Sequence, residues 1–239
     1  MRTRLIKKIT FLSILFLGVV SFPQNSFSIE NNAPIKVLFI GNSYIYVNDL
    51  PDMFSKVVRS SGREVVVKTS ANPAWKLMQH AKSQTTLSMI GNEDWDYIVL
   101  QEQSTLPLFA SNLGKFMIPA TRILQEKAQQ SGAKIILFMT WGRRDGFKRP
   151  GMQNYEQMQE KLSNAYLKVA NDLQIMVAPI GVAWQNLLKE NLSFSLWQGD
   201  GSHPSREGTY AAVCVLYSVI FDQSPLGIEY KGWIDSTKA

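Results

Sequence analysis

Three residues near opposite ends of this 239-residue chain could share one reaction. Ser43 stands in Ile40-Gly41-Asn42-Ser43; Asp200 and His203 stand in Asp200-Gly201-Ser202-His203-Pro204. A serine hydroxyl becomes a nucleophile when an imidazole accepts its proton and a carboxylate orients that imidazole. The Asp-x-x-His spacing lets both side chains reach one region from one loop, and Pro204 stiffens the turn and can start the helix that follows. Ser43 comes just after the apolar run 35–39. Gly41 lets the backbone turn sharply there, and a serine at the start of a helix sits in a field that favours developing negative charge. Each half also has a plainer reading: Ser43 could cap a helix, and Asp200 and His203 could cap the last one. Together the two halves supply a nucleophile, a base and an orienting acid, the parts with which a hydroxyl attacks an ester.

The remaining inventory narrows the chemistry. The chain has two histidines, His80 and His203, so a Ser-His mechanism must use one of them. His80 falls within a helical pattern over 75–89 and reads as a packing or supporting residue. Two histidines and a single cysteine exclude a His/Cys zinc cluster, and although a carboxylate-only cation site stays open, nothing spaces the acids as one. No metal and no cofactor are expected. The phosphate-binding patterns G-x-x-x-x-G-K-[ST] and G-x-G-x-x-G are absent, as is the G-x-S-x-G elbow of α/β-hydrolases. Cys214, within the apolar stretch 211–217, reads as a small buried hydrophobe.

The N-terminus reads as a targeting segment. Arg2, Arg4, Lys7 and Lys8 precede an apolar run over 9–22, and Ser26-Phe27-Ser28 offers small residues for cleavage. The expected organisation is a secretory signal peptide over 1–28 and a single domain over 29–239, giving a secreted or periplasmic protein without stable membrane insertion once the signal is removed. An uncleaved N-terminal anchor is the alternative. Residues 1–28 hold four basic and no acidic side chains, so the formal charge of +6 leaves only +2 for residues 29–239. That is too little to argue for a nucleic-acid partner; a small-molecule or glycan ester is the partner expected. The oligomeric state is left open.

The elements that must hold these residues alternate. Strand patterns at 35–40, 64–69, 96–101, 134–140 and 175–178 are nearly continuous in branched and aromatic apolar residues, as in parallel strands buried on both faces. Helical patterns at 50–61, 75–89, 113–131, 152–173, 180–190 and 205–221 lie between and after them. The expected fold is α/β, a flavodoxin-like three-layer sandwich with a doubly wound, five-stranded parallel sheet. Its sites belong at the C-terminal ends of the strands.

Ser43 after the first strand and the pattern Asp200-x-x-His203-Pro204 before the last helix resemble the SGNH (GDSL-like) hydrolase family over nearly the whole of residues 29–239. That resemblance implies Ser43 as nucleophile, His203 as base and Asp200 as orienting acid. It departs from the family at Asn42, where the family has Asp, and at the oxyanion-hole blocks. In Ile98-Val99-Leu100-Gln101-Glu102-Gln103-Ser104, Gln103 falls where the family has Asn. Gln carries the same amide donor on one more methylene, a substitution that fits carbohydrate-acetylesterase-like branches. The second block, Ala71-Asn72-Pro73-Ala74-Trp75, has no glycine. Pro73 has no N–H to donate, which leaves Ala71, Asn72 or Ala74 to join the backbone N–H of Ser43. Trp75, Trp141 and Trp197 flank the expected site loops and could stack on sugar rings or pack in the core or rim. Arg143, in the basic loop that runs to Arg149, could meet an acidic glycan or a phospholipid head, or be solvated. The implied activity is hydrolysis of small acyl esters, O-acetyl groups on carbohydrate foremost. A lipid or thioester substrate, or a non-catalytic glycan-binding role, is the alternative.

Overall fold

The apolar runs become strands β1 (Ile35–Gly41), β2 (Val65–Ala71), β3 (Tyr97–Leu100), β4 (Lys134–Phe138) and β5 (Met176–Ala178). This computed structural model describes residues 33–190 and 193–232, so the expected signal segment lies outside it. Among the described residues the strands form one five-stranded sheet in the order β2-β1-β3-β4-β5, and every pairing is parallel. This is the flavodoxin-like, doubly wound sheet read from the sequence.

Continuous apolar strands arise because successive side chains point to opposite faces and both faces are covered. In β1, Val37 and Phe39 join one core cluster with Phe54, Val57 and Leu216. Leu38 and Ile40 join the other with Leu124, Leu162 and Tyr166. Helices α2 (Leu50–Ser60), α8 (Ile180–Lys189) and α9 (Arg206–Phe221) therefore cover the first face, and α6 (Ile118–Gln129) and α7 (Tyr155–Leu173) cover the second. Burying each such side chain contributes about 1.5–3 kcal/mol.

Caps set most of the helix boundaries. The Asn154 side chain accepts from the Gln157 N–H at 2.9 Å, so α7 starts three residues later than the pattern at 152 suggests. The expected helix over 75–89 is two: α3 (Leu77–His80) and α4 (Gln84–Gly91). Ser83 divides them, extended in backbone and accepting from the Thr86 N–H at 3.3 Å. The expected helix over 113–131 is irregular at its start, where the short turn α5 (Ala110–Asn112) runs into a π-helical turn over Leu113–Met117 before α6. A further short helix, α1 (Ser43–Tyr46), begins directly after β1.

The strand order reverses between β1 and β3: the chain leaves β1 for β2 on one side and places β3, β4 and β5 on the other. Crossovers that diverge in this way open a crevice at the C-terminal ends of β1 and β3. Ser43 follows β1 and Gln103 follows β3.

Candidate active site

Ser43 stands on a tight strand-to-helix turn that Gly41 makes possible. A Cβ at position 41 would lie 2.5 Å from Gln101 Oε1 and 2.8 Å from Ile45 Cγ1. Gln101 Oε1 in turn accepts from the Asn42 N–H at 2.8 Å. Asn42 is 3 % exposed and caps α1 by accepting from the Tyr44 N–H at 3.2 Å. Its Nδ2 donates to the Trp75 carbonyl at 2.9 Å. An aspartate could not make that last bond, because a carboxylate has no proton to give at neutral pH.

The structure brings Ser43, His203 and Asp200 together. Ser43 Oγ lies 3.0 Å from His203 Nε2, and His203 Nδ1 lies 2.5 Å from Asp200 Oδ2. The carboxylate accepts, so Nδ1 carries the proton and Nε2 is left to accept from the serine hydroxyl. Asp200 Oδ1 accepts from the N–H groups of Ser202 at 2.9 Å and His203 at 3.0 Å. Partial burial pushes this carboxyl up, but the hydrogen bonds from His203 and the two N–H groups outweigh it and hold Asp200 below the usual carboxylate range.

The loop carrying Asp200 and His203 is fixed from several sides. Gly201 has φ +67°, which favours glycine, and its carbonyl accepts from the Arg144 N–H at 2.9 Å. Asn48 Nδ2, in the segment after α1, reaches the carbonyls of Pro204 and Ser205 at 2.9 and 3.1 Å and Thr209 Oγ1 at 2.9 Å. That contact docks the nucleophile's segment on the start of α9. Ser205, not Pro204, caps α9, accepting from the Gly208 N–H at 3.0 Å.

Trp141 and Trp197 are struts rather than sugar platforms, which corrects the expectation for both. Trp141 is fully buried, stacks between Tyr44 and Trp184 at 4.7 and 4.1 Å, and donates its indole N–H to the Ser202 carbonyl. Trp197 is 6 % exposed and donates to the Gly142 carbonyl at 3.0 Å. Neither has a free face. Trp75 is half-buried and edge-on to His80 at 4.9 Å. Tyr44 hydrogen-bonds Ser202 Oγ at 2.7 Å and walls His203 at 5.6 Å. Burial pushes its phenol up, against hydrogen bonds to Ser202 and Ser104 and the charge of Arg143.

The oxyanion-hole expectations divide. Gln103 Oε1 accepts from Thr105 N–H, Thr105 Oγ1 and Leu106 N–H at 3.0, 3.0 and 2.9 Å. Those three donors fix the amide's orientation and leave Nε2 with no partner among the described residues. Asn72 is corrected: its N–H is spent on the Gly41 carbonyl at 3.2 Å. Its own carbonyl accepts from Trp75 N–H at 3.2 Å, closing a turn with Pro73 and Ala74 at the centre. Ala74 has φ +56°, the conformation that glycine or asparagine fills in a type II turn. The block thus keeps the backbone of a glycine site without the glycine, and the Ala74 N–H has no partner among the described residues.

Sequence reasoning missed Glu102. It is fully buried, and its Oε1 accepts from the Gln103 N–H at 2.7 Å and the Leu77 N–H at 3.2 Å. One carboxyl thereby joins the loop after β3 to the loop after β2. Its Oε2 is buried with no partner among the described residues. Burial pushes the carboxyl up to about 7, against its two N–H bonds and Lys76. His80 is buried as expected. Its Nε2 donates to the Gly41 carbonyl at 2.8 Å and its Nδ1 lies 3.1 Å from Thr86 Oγ1. Burial lowers its pKa. Cys214 in α9 is partly buried, and burial pushes its thiol up to about 11, so it holds its proton at neutral pH. Among the described residues no three His, Cys, Asp or Glu side chains converge as metal ligands.

Solved structures share this architecture. A candidate SGNH hydrolase from Slackia heliotrinireducens is 26 % identical, with a TM-score of 0.65 over 79 % of this chain and all of that one. A DUF4886 family protein from Bacteroides uniformis is 19 % identical, with a TM-score of 0.75 over 86 % of this chain and 90 % of that one. The acetyl xylan esterase AlAXEase is 15 % identical, with a TM-score of 0.56 over 78 % of this chain and 100 % of that one. None of the curated proteins matches the chain. The fold is that of SGNH and GDSL-like hydrolases. The model of DUF4886, a domain of unknown function, matches residues 77–239, and the chain belongs to that family.

Proposed function

We propose that this protein is an exported serine hydrolase of the SGNH type that removes O-acetyl groups from carbohydrate. The observation that carries the reading is the unbroken chain from Ser43 Oγ through His203 to Asp200, with links of 3.0 and 2.5 Å. Ser43 attacks the acyl carbonyl while His203 Nε2 takes its proton, then returns it to the leaving sugar hydroxyl. Water repeats the sequence on the acyl-enzyme and releases acetate. Asp200 keeps Nδ1 protonated and stabilises the imidazolium. The Gln103 amide and the N–H groups of Ser43 and Ala74 are the donors for the oxyanion. Carbohydrate is supported by the acetyl xylan esterase among the structural relatives, and export by the pattern over 1–28.

The test is acetate release from acetylated xylo-oligosaccharides by the wild type beside Asp200→Asn. The Asn side chain keeps the shape but favours the wrong imidazole tautomer, so kcat is expected to fall by about 10⁴-fold. Release by the variant at the wild-type rate, or none from a folded wild type on any small acyl ester, overturns the reading.

A further inference from the structure

A cleft of about 360 Å³ opens beside Asp200 of the triad. Arg143, Lys148 and Arg149 line it together with Phe147, Asp145 and Asp200. Its acids are already engaged: Asp200 holds His203 at 2.5 Å, and Asp145 pairs with Arg144 at 3.4 Å. Among the described residues none of the three lining cations has a carboxylate within 4 Å. Arg143 Nε is buried without a hydrogen-bond partner. Its guanidinium is held over the Phe147 ring at 5.6 Å and lies near enough to Tyr44 for its charge to act on that phenol. Three unpaired cations on a convex surface would be solvated and of no account. Here they face one concave volume whose wall includes a residue of the triad.

We propose that this cleft is an anion subsite that receives a substrate carboxylate, so that the ester presented to Ser43 is carried on an acidic sugar, a uronic acid or its oligomer. Two hydrogen bonds and one imidazole ring separate Ser43 Oγ from Asp200, a span comparable to a sugar residue. A uronate can therefore place an acetyl oxygen at the serine and its own or its neighbour's carboxylate among the cations. Arg143 suits this role because its planar fork takes a carboxylate with two parallel hydrogen bonds. A lipid phosphate is the less fitting anion: the cleft's lining holds one aromatic ring, Phe147, and Arg143 lies over it.

The inference rests on the esterase reading, and the experiment separates the two. The probes are mono-acetylated 4-nitrophenyl glucuronide and mono-acetylated 4-nitrophenyl glucoside, which differ only in the carboxylate. The readout is the ratio of their kcat/KM values for acetate release. Wild type is expected to favour the glucuronide by at least about tenfold, and the preference is expected to shrink as salt rises from 0.01 to 0.5 M. Arg143→Gln is expected to cut the ratio by about tenfold, Arg143→Lys by less because it keeps the charge, and Lys148→Ala with Arg149→Ala by about threefold. Hydrolysis of both probes at a ratio near one, unmoved by these substitutions, refutes the subsite while leaving the esterase standing. An acetylated glycerophosphate preferred over the glucuronide and dependent on the same three cations overturns the assignment to a sugar carboxylate. If a folded wild type cleaves neither probe, calorimetry with oligogalacturonate decides the subsite independently of the esterase reading. Salt-sensitive binding lost in Arg143→Gln upholds it, and no binding refutes it.

Discussion

The buried Glu102 yields a prediction whose sign and size can both be worked out. Its Oε1 is held by two backbone N–H groups, its Oε2 has no partner among the described residues, and burial pushes the carboxyl from an ordinary 4.5 up to about 7. An acid raised in this way keeps its proton in the fold across a pH range in which the unfolded chain has released it. The unfolded state then binds fewer protons, so stability falls as pH rises from about 4.5 to about 7 and is level above that. A gap of roughly two and a half pH units at ~1.4 kcal/mol each makes about 3 kcal/mol lost by the wild type across that window. Glu102→Gln keeps an Oε1 that can accept from Leu77 and Gln103 but cannot ionise. The assay is urea unfolding of both proteins at pH 4.5, 6, 7 and 8. Relative to the variant, the wild type should lose about 3 kcal/mol over the series, or ~1–1.5 M in midpoint at a slope of ~2–3 kcal/mol/M. A wild-type-minus-variant difference that stays constant with pH refutes the reasoning, because it would mean that Glu102 titrates alike folded and unfolded.

Other substitutions test the site's parts. Gln103→Glu keeps an oxygen to accept from Thr105 and Leu106 but removes the amide donor, so kcat should fall by about 10²–10³-fold or more while the thermal midpoint moves little; an unchanged kcat would remove Gln103 from the oxyanion hole. Ala74→Gly relieves a left-handed Ala costing about 1–2 kcal/mol, offset by about 0.5–1 kcal/mol of glycine entropy. A melting midpoint equal to wild type or a few degrees higher is expected, and a clear fall would contradict the turn geometry. Asn42→Asp sets a carboxylate against the Trp75 carbonyl in a site 3 % exposed. It should cost about 1–3 kcal/mol, read as a drop in thermal midpoint of several degrees.

Much of this molecule was legible because the signals were local and periodic. The strands announced themselves through runs such as Ile35–Ile40, apolar on both faces, and the strand-helix alternation fixed a parallel sheet. Ser43 and Asp200-x-x-His203 were legible as residue types in a spacing, and His203 was one of two candidates for a base. What was not legible depends on distant groups. Nothing in the tryptophans' own segments tells that Trp141 stacks between Tyr44 and Trp184, or that Trp197 bonds the Gly142 carbonyl. Asn72 lost its place in the oxyanion hole to a pairing with Gly41 on another strand. Nothing in Gln101-Glu102-Gln103 singles Glu102 out, because its distant partner, the Leu77 N–H, meets it only in the fold. Asn48 has the same history, joining segments 156 residues apart. The left-handed turn at Ala74 was hidden for the opposite reason: the residue that advertises such a turn, glycine, is missing.

The most direct test of an activated Ser43 is labelling with a fluorophosphonate probe, followed by peptide mass mapping of the wild type, Ser43→Ala and Asp200→Asn. A hydroxyl activated by His203 and Asp200 should give one adduct on Ser43, absent from Ser43→Ala and formed far more slowly in Asp200→Asn. A folded wild type that takes no label, or takes it at another residue, would contradict the account.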